Sequence, residues 1–80
     1  MFVNWQSDSD FAIVDNFVRG QQPNLKNARI VTVMIQYVNG INYKITYMVG
    51  SISIEIVVYK PPNGALQITS NSNTGGYQKF

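Results

Sequence analysis

The sequence predicts an α+β domain: an antiparallel sheet of four strands, or five if the N-terminal arm joins it, wrapped around a single helix. Three observations predict it. One segment near the N-terminus carries apolar residues at helical spacing. From about residue 27 to residue 70 the chain alternates or is rich in β-branched residues. The breaks between those runs are turn residues: Asn39-Gly40, Gly50-Ser51 and Lys60-Pro61-Pro62-Asn63-Gly64. At 80 residues the chain is expected to be one domain, 1–80, because it is too short for two independent cores.

The helix is expected over about 8–19. Ser7 followed by Asp10 resembles a capping box, and Asp8, Asp10 and Asp15 fall in the first two turns, where the helix dipole favours negative charge. Phe11, Val14 and Val18, with Ile13 and Phe17 beside them, form one apolar stripe. Gly20 sits where a glycine would end the helix, and Pro23 prevents a restart. A helix of roughly three turns does not hold itself together in water, so it must pack on something.

Strands are expected at about 27–38, 41–49, 52–60 and 65–70. The first holds Ile30, Val31, Val33, Ile35 and Val38. The second places Ile41, Tyr43, Ile45, Tyr47 and Val49 on one face. The third does the same with Ile52, Ile54, Ile56 and Val58. Asn39-Gly40 is a strong hairpin signal, and Pro61-Pro62 stops the third strand because proline donates no ladder hydrogen bond. The opposite sheet face, with Thr46, Met48, Val57 and Tyr59, is less polar than usual and is read as ordinary β-propensity. The segment 70–76 reads as a flexible tail or loop. Residues 1–6 are apolar and aromatic without helical period, which fits either a frayed terminus or an arm that needs a partner. Trp5 is read as exposed, a staple against the helix or a contact residue.

Composition narrows the chemistry. There is no cysteine and no histidine, so disulfides, a cysteine nucleophile, thiolate metal sites and histidine base chemistry all lack their parts. Asp8 and Asp10 look like a metal pair, but two carboxylates at a helix start are dipole partners and complete no calcium shell. No cofactor, no metal and no enzymatic activity are expected. A net charge of +2, with the six basic residues scattered, gives no nucleic-acid footprint. No apolar run approaches the ~20 residues of a membrane span. Without a visible signal peptide or any cysteine the expected location is the cytoplasm, although a secreted mature form would look the same.

The run Gln36-Tyr37-Val38-Asn39-Gly40, followed by Asn42-Tyr43, resembles the Gln-x-Val-x-Gly motif of the cystatin and stefin inhibitors of papain-like cysteine proteases. Its context agrees. A helix ends about 17 residues upstream, the motif lies between two long strands, and a later strand ends in Val58-Tyr59-Lys60 before Pro61-Pro62, where the family carries a second binding hairpin. The resemblance covers roughly residues 10–70. It implies a cystatin-like fold, a papain-like cysteine protease as partner, and a reversible, tight-binding inhibitor. Such an inhibitor blocks the active-site cleft with a wedge of Gln36, Tyr37, Val38, Asn39 and Gly40, a second loop of Pro61, Pro62 and Asn63, and an N-terminal segment of Met1, Phe2, Val3 and Asn4. Three departures from the pattern stand out. No glycine precedes Gly20, so the family's N-terminal trunk is either cut away or weak in contact. Tyr37 and Asn39 replace smaller residues, and the second hairpin has no tryptophan, as in stefins.

Both loops are free of charge, and a cleft flanked by hydrophobic subsites can bury such loops without stranding an ion. The rival reading is a non-inhibitory cystatin-fold scaffold or protein-interaction module, since fold alone does not fix function. A nucleic-acid or carbohydrate binder using Tyr37, Tyr43, Tyr47 and Tyr59 ranks third, because Tyr43 and Tyr47 fall on the core-facing parity. The chain is expected to be a monomer. Opening the first hairpin would let two chains exchange the helix and first strand, giving a domain-swapped dimer unable to inhibit.

Overall fold

A computed structural model of the chain describes residues 4–73. In order they form a 3-10 turn at Trp5–Ser7, helix α1 (Ser9–Gln21), a second 3-10 turn at Pro23–Leu25, and strands β1 (Arg29–Val38), β2 (Gly40–Val49), β3 (Ile52–Lys60) and β4 (Gln67–Asn73). The strands make one antiparallel meander in the order β1-β2-β3-β4. A fifth strand from the N-terminal arm would involve residues 1–3, which lie outside the described residues, as do residues 74–80 of the C-terminal tail.

The alternation in the sequence becomes a core. Phe11, Val14 and Val18 of α1 share one buried cluster with Val33 and Ile35 of β1, Tyr43, Ile45 and Tyr47 of β2, and Ile54, Ile56 and Val58 of β3. Fully burying each aliphatic side chain contributes roughly 1.5–3 kcal/mol. Phe11 lies against Tyr43 with ring centroids 6.3 Å apart, whereas Arg19, two turns later, lies over Tyr47. The helix therefore runs in the direction of β2, with its N-terminus toward the β1–β2 turn.

The helix ends differ from the expected ones. Asp8, not Ser7, is the N-cap: its backbone is extended, and its Oδ1 accepts from the amides of Asp10 (2.9 Å) and Phe11 (3.1 Å). Ser7 is used up in the preceding turn. Gly20 lies inside the helix, which continues to Gln21 and closes with the Gln22 amide on the Val18 carbonyl at 2.8 Å. Pro23 is the stop, since proline restricts the residue before it, and it opens the next 3-10 turn. Trp5 is half-buried against the core rather than exposed.

Two bulges set the register. Val31 is the extra residue of β1, so Ile30 and Val33 both turn toward the helix although they are three apart. Thr69 is the extra residue of β4, and its hydroxyl lies 3.4 Å from the Val57 carbonyl, to which it donates. β4 starts at Gln67, later than expected, and runs to Asn73 through residues read as the start of a tail. The outer face of the sheet is tighter than a bare solvent face: Val57 is only 8% exposed, and Lys44 meets Glu55 at 3.9 Å.

A polar clasp holds the far end of the helix. Asp15 accepts from Arg19 Nε at 2.9 Å and from the Tyr47 hydroxyl at 2.7 Å. The Arg19 guanidinium also donates to the carbonyls of Leu25, Lys26 and Ala28 and lies 5.2 Å from the Tyr47 ring centroid. One side chain thereby ties α1 to the loop that leads into β1.

Candidate functional site

A meander brings alternate turns to the same end of a sheet. Here the β1–β2 turn and the β3–β4 connection share one rim, and the β2–β3 turn sits at the other end. The two-residue turn Gly50-Ser51, with Gly50 at φ +62° as a II′ turn requires, pairs Val49 with Ile52. Counting outward from that pair sets Ile41 opposite Lys60 and Asn42 opposite Tyr59. The first hairpin therefore sits against the last residues of β3.

The first hairpin is not a two-residue Asn-Gly turn. Tyr37 pairs with Ile41 and Val38 faces Gly40, leaving Asn39 alone at the apex between the two strands. Gly40 has φ +112°, and no non-glycine residue among those described has a positive φ. A reversal this tight needs the positive φ that glycine adopts without a Cβ penalty. Space also demands glycine: a Cβ there would collide with the Lys60 carbonyl oxygen, and would lie 3.0 Å from Tyr59 Cε1 and 3.1 Å from Pro61 Cα. The Tyr59 hydroxyl donates to the Asn39 carbonyl. Gly40, Ile41, Lys60, Pro61 and Pro62 line a shallow depression of about 260 Å³ where the two loops meet.

The residues expected to bind divide as follows. Gln36, Tyr37, Val38 and Asn39 are exposed, with Tyr37 at 65% and Val38 at 47%. Gln36 Oε1 accepts from Asn42 Nδ2 at 3.4 Å. Pro61 is half-buried at the foot of the second loop, while Pro62 and Asn63 are exposed at its crest. Asn4 is exposed and its side chain accepts from the Gln6 amide, starting the turn that leads to α1. Met1, Phe2 and Val3 lie outside the described residues. The helix starts near the same rim: its first-turn residue Phe11 packs on Tyr43, and Asp8 and Asp10 act on the Tyr43 hydroxyl. Burial pushes the Tyr43 phenol above its ordinary value, and the charges of Asp8 and Asp10 add to the rise.

Sequence reading missed three members of this rim: Ile41, Lys60 and Tyr59. Their signal was present in the two-residue turn at Gly50-Ser51, because that turn length alone fixes which residues of β3 face the hairpin. Chemically the two loop tips are uncharged, with Lys60 lining the depression between them and Asp8 and Asp10 at the helix start nearby. Among the described residues no cluster of His, Cys, Asp or Glu could hold a metal ion, and no helix is long and apolar enough to cross a membrane. No protein-family model, no curated protein and no solved structure matches the chain.

Proposed function

We propose that the chain is a reversible, tight-binding inhibitor of papain-like cysteine proteases, with a cystatin-like sheet wrapped around α1 and the rim as its wedge. One observation carries the reading: the Gln-x-Val-x-Gly segment at 36–40 and the Pro61-Pro62 loop pack against each other at one end of the sheet, through Gly40 on Lys60 and Pro61. Exposed apolar area at Tyr37 and Val38 crowns it. Neither loop tip carries a charge, so the tips themselves strand no ion on docking, and Lys60 lies at their foot. The prolines of the second loop lower the entropy lost on binding. Asn4 caps the turn before the helix end that lies near this rim, so the inhibitor reading assigns the N-terminal segment a third contact.

The wedge acts by occupancy. A hairpin tip presents its backbone folded back on itself, not as the extended chain a protease cleaves, so the complex forms without turnover. The test is a titration of papain with the purified protein. Loss of activity at near-equal stoichiometry, with trypsin-like serine proteases unaffected, supports the reading. Full papain activity under a many-fold excess of folded protein replaces it with a non-inhibitory interaction module.

A further inference from the structure

Tyr59 is the last aromatic residue of β3 and sits in a row with Gln36, Asn42 and Gln67 that crosses all four strands just below the rim. Asn42 is its direct cross-strand partner, and Gly40 is the diagonal neighbour, within reach of a long side chain. The ring edge covers the place where Gly40 lacks a Cβ, and the hydroxyl goes one residue further to the carbonyl of Asn39, the apex of the first hairpin. Asn39 itself is exposed.

We propose that Tyr59 is the positioning residue of the wedge: its phenol hydroxyl locks the first hairpin to the base of the second loop, so that both enter a cleft as one rigid body. The inference rests on the inhibitor reading above. Its physical basis is the cost of ordering. A hairpin tip held only by its own two strands samples several conformations, and each must be given up when a partner closes around it. A hydrogen bond from a strand residue to the tip carbonyl removes that freedom before the encounter. The ring contributes by excluding alternatives on the Gly40 side, where glycine by itself would allow many backbone conformations. Tyr59 thus acts through Asn39 and Gly40, without needing to touch the protease.

Tyr59→Phe tests this, since it removes the hydroxyl and leaves the ring over Gly40. The full chain and the variant are titrated against papain, their urea midpoints are compared, and the backbone order parameters of Asn39, Gly40 and Ile41 are measured by 15N relaxation on the free proteins. The expected result is an inhibition constant weakened about tenfold, lower order parameters confined to the hairpin tip, and an unchanged urea midpoint. An unchanged inhibition constant overturns the positioning role while leaving the inhibitor reading intact. Weaker inhibition with unchanged order parameters overturns it as well, because the hydroxyl would then be a direct contact. A lower urea midpoint matching the loss of affinity makes Tyr59 a residue of general stability, which also overturns it. If the wild-type chain leaves papain fully active, the inhibitor reading falls and this role falls with it, whereas the relaxation data still report whether the hydroxyl holds the tip.

Discussion

The two ends of the helix–sheet contact are built from opposite materials. At the far end, Asp15, Arg19 and Tyr47 gather a carboxylate, a guanidinium and a phenol with three backbone carbonyls in a half-buried network. At the rim the loops carry no charge, Tyr37 and Val38 face water, and one phenol bond joins the apex to β3. A paired charge network holds elements in one relative arrangement, because breaking it leaves a desolvated ion. An uncharged apolar rim is poor at that and good at meeting another apolar surface. The contrast places the polar network that holds helix and sheet together at one end and, on the proposed reading, the recognition surface at the other.

Substitutions at either end can sharpen or break that division. The largest effect is expected from Val38→Asp, which forces a carboxylate into the partner's apolar cleft and weakens papain inhibition by about 2–5 kcal/mol. The urea midpoint should stay put, since the side chain is exposed. A variant that unfolds earlier yet still inhibits would break the comparison at the rim. Next comes Arg19→Met, which keeps the aliphatic stem but removes the donor to Asp15 and to three carbonyls. Both charged groups retain about a fifth of their exposure, so the loss of stability is placed at about 2–4 kcal/mol, toward the lower end for a buried pair. Inhibition per folded molecule should be unchanged, and an affinity loss without a shift in the urea curve would contradict the assignment.

Gly40→Ala is expected to touch both properties. It puts a Cβ on a backbone at φ +112° and drives it into the Lys60 carbonyl. About 1–3 kcal/mol of stability should be lost, with inhibition weakened as the tip moves away from Pro61. Hydrogen exchange localised to residues 38–42 would show whether the damage stays at the rim.

Alkaline pH should act on the clasp and the core. Burial and the bond to Asp15 push the Tyr47 phenol well above its ordinary value, against a smaller opposing pull from Arg19, and burial raises Tyr43 as well. Above pH ~10 the unfolded chain sheds phenolic protons that the folded chain keeps, so the unfolded state binds fewer protons and stability falls as pH rises. The stability is fully present below the unfolded value and is lost through the raised folded values. Denaturation curves at pH 8 and above 10 should show this decline, and Tyr47→Phe should flatten it. Pro62→Ala is the mildest change, about 0.5–1 kcal/mol of affinity through a looser second loop.

The antiparallel strands, the single helix and the turn at Gly50-Ser51 were legible because each rests on contacts within a few residues: alternation along a strand, a stripe on a helix, a glycine at positive φ. The two-residue turn even carried the β2–β3 register. The edges of elements were less legible. Ser7 and Asp8 are equally good caps by type, and only the backbone conformation at Asp8 decides between them. Gly20 costs a helix ~1 kcal/mol but does not end it where Arg19 is anchored one residue earlier to the following loop.

Tertiary structure alone decided the features with the longest reach. Asp15 and Tyr47 are 32 residues apart, and their bond exists only once the helix lies along β2. The bulges at Val31 and Thr69 answer a need to keep apolar residues facing α1 on a twisted sheet, which no local propensity encodes. The bond from Tyr59 to Asn39 joins residues 20 apart and exists only once β3 lies beside the first hairpin. By itself the sequence determined most of the buried face, because burial follows from side-chain chemistry and period, although Ile13 and Ile52 stay exposed and Val57 on the opposite face is buried. Which polar group meets which was settled by folding, because a hydrogen bond depends on fractions of an ångström that only the assembled backbone supplies.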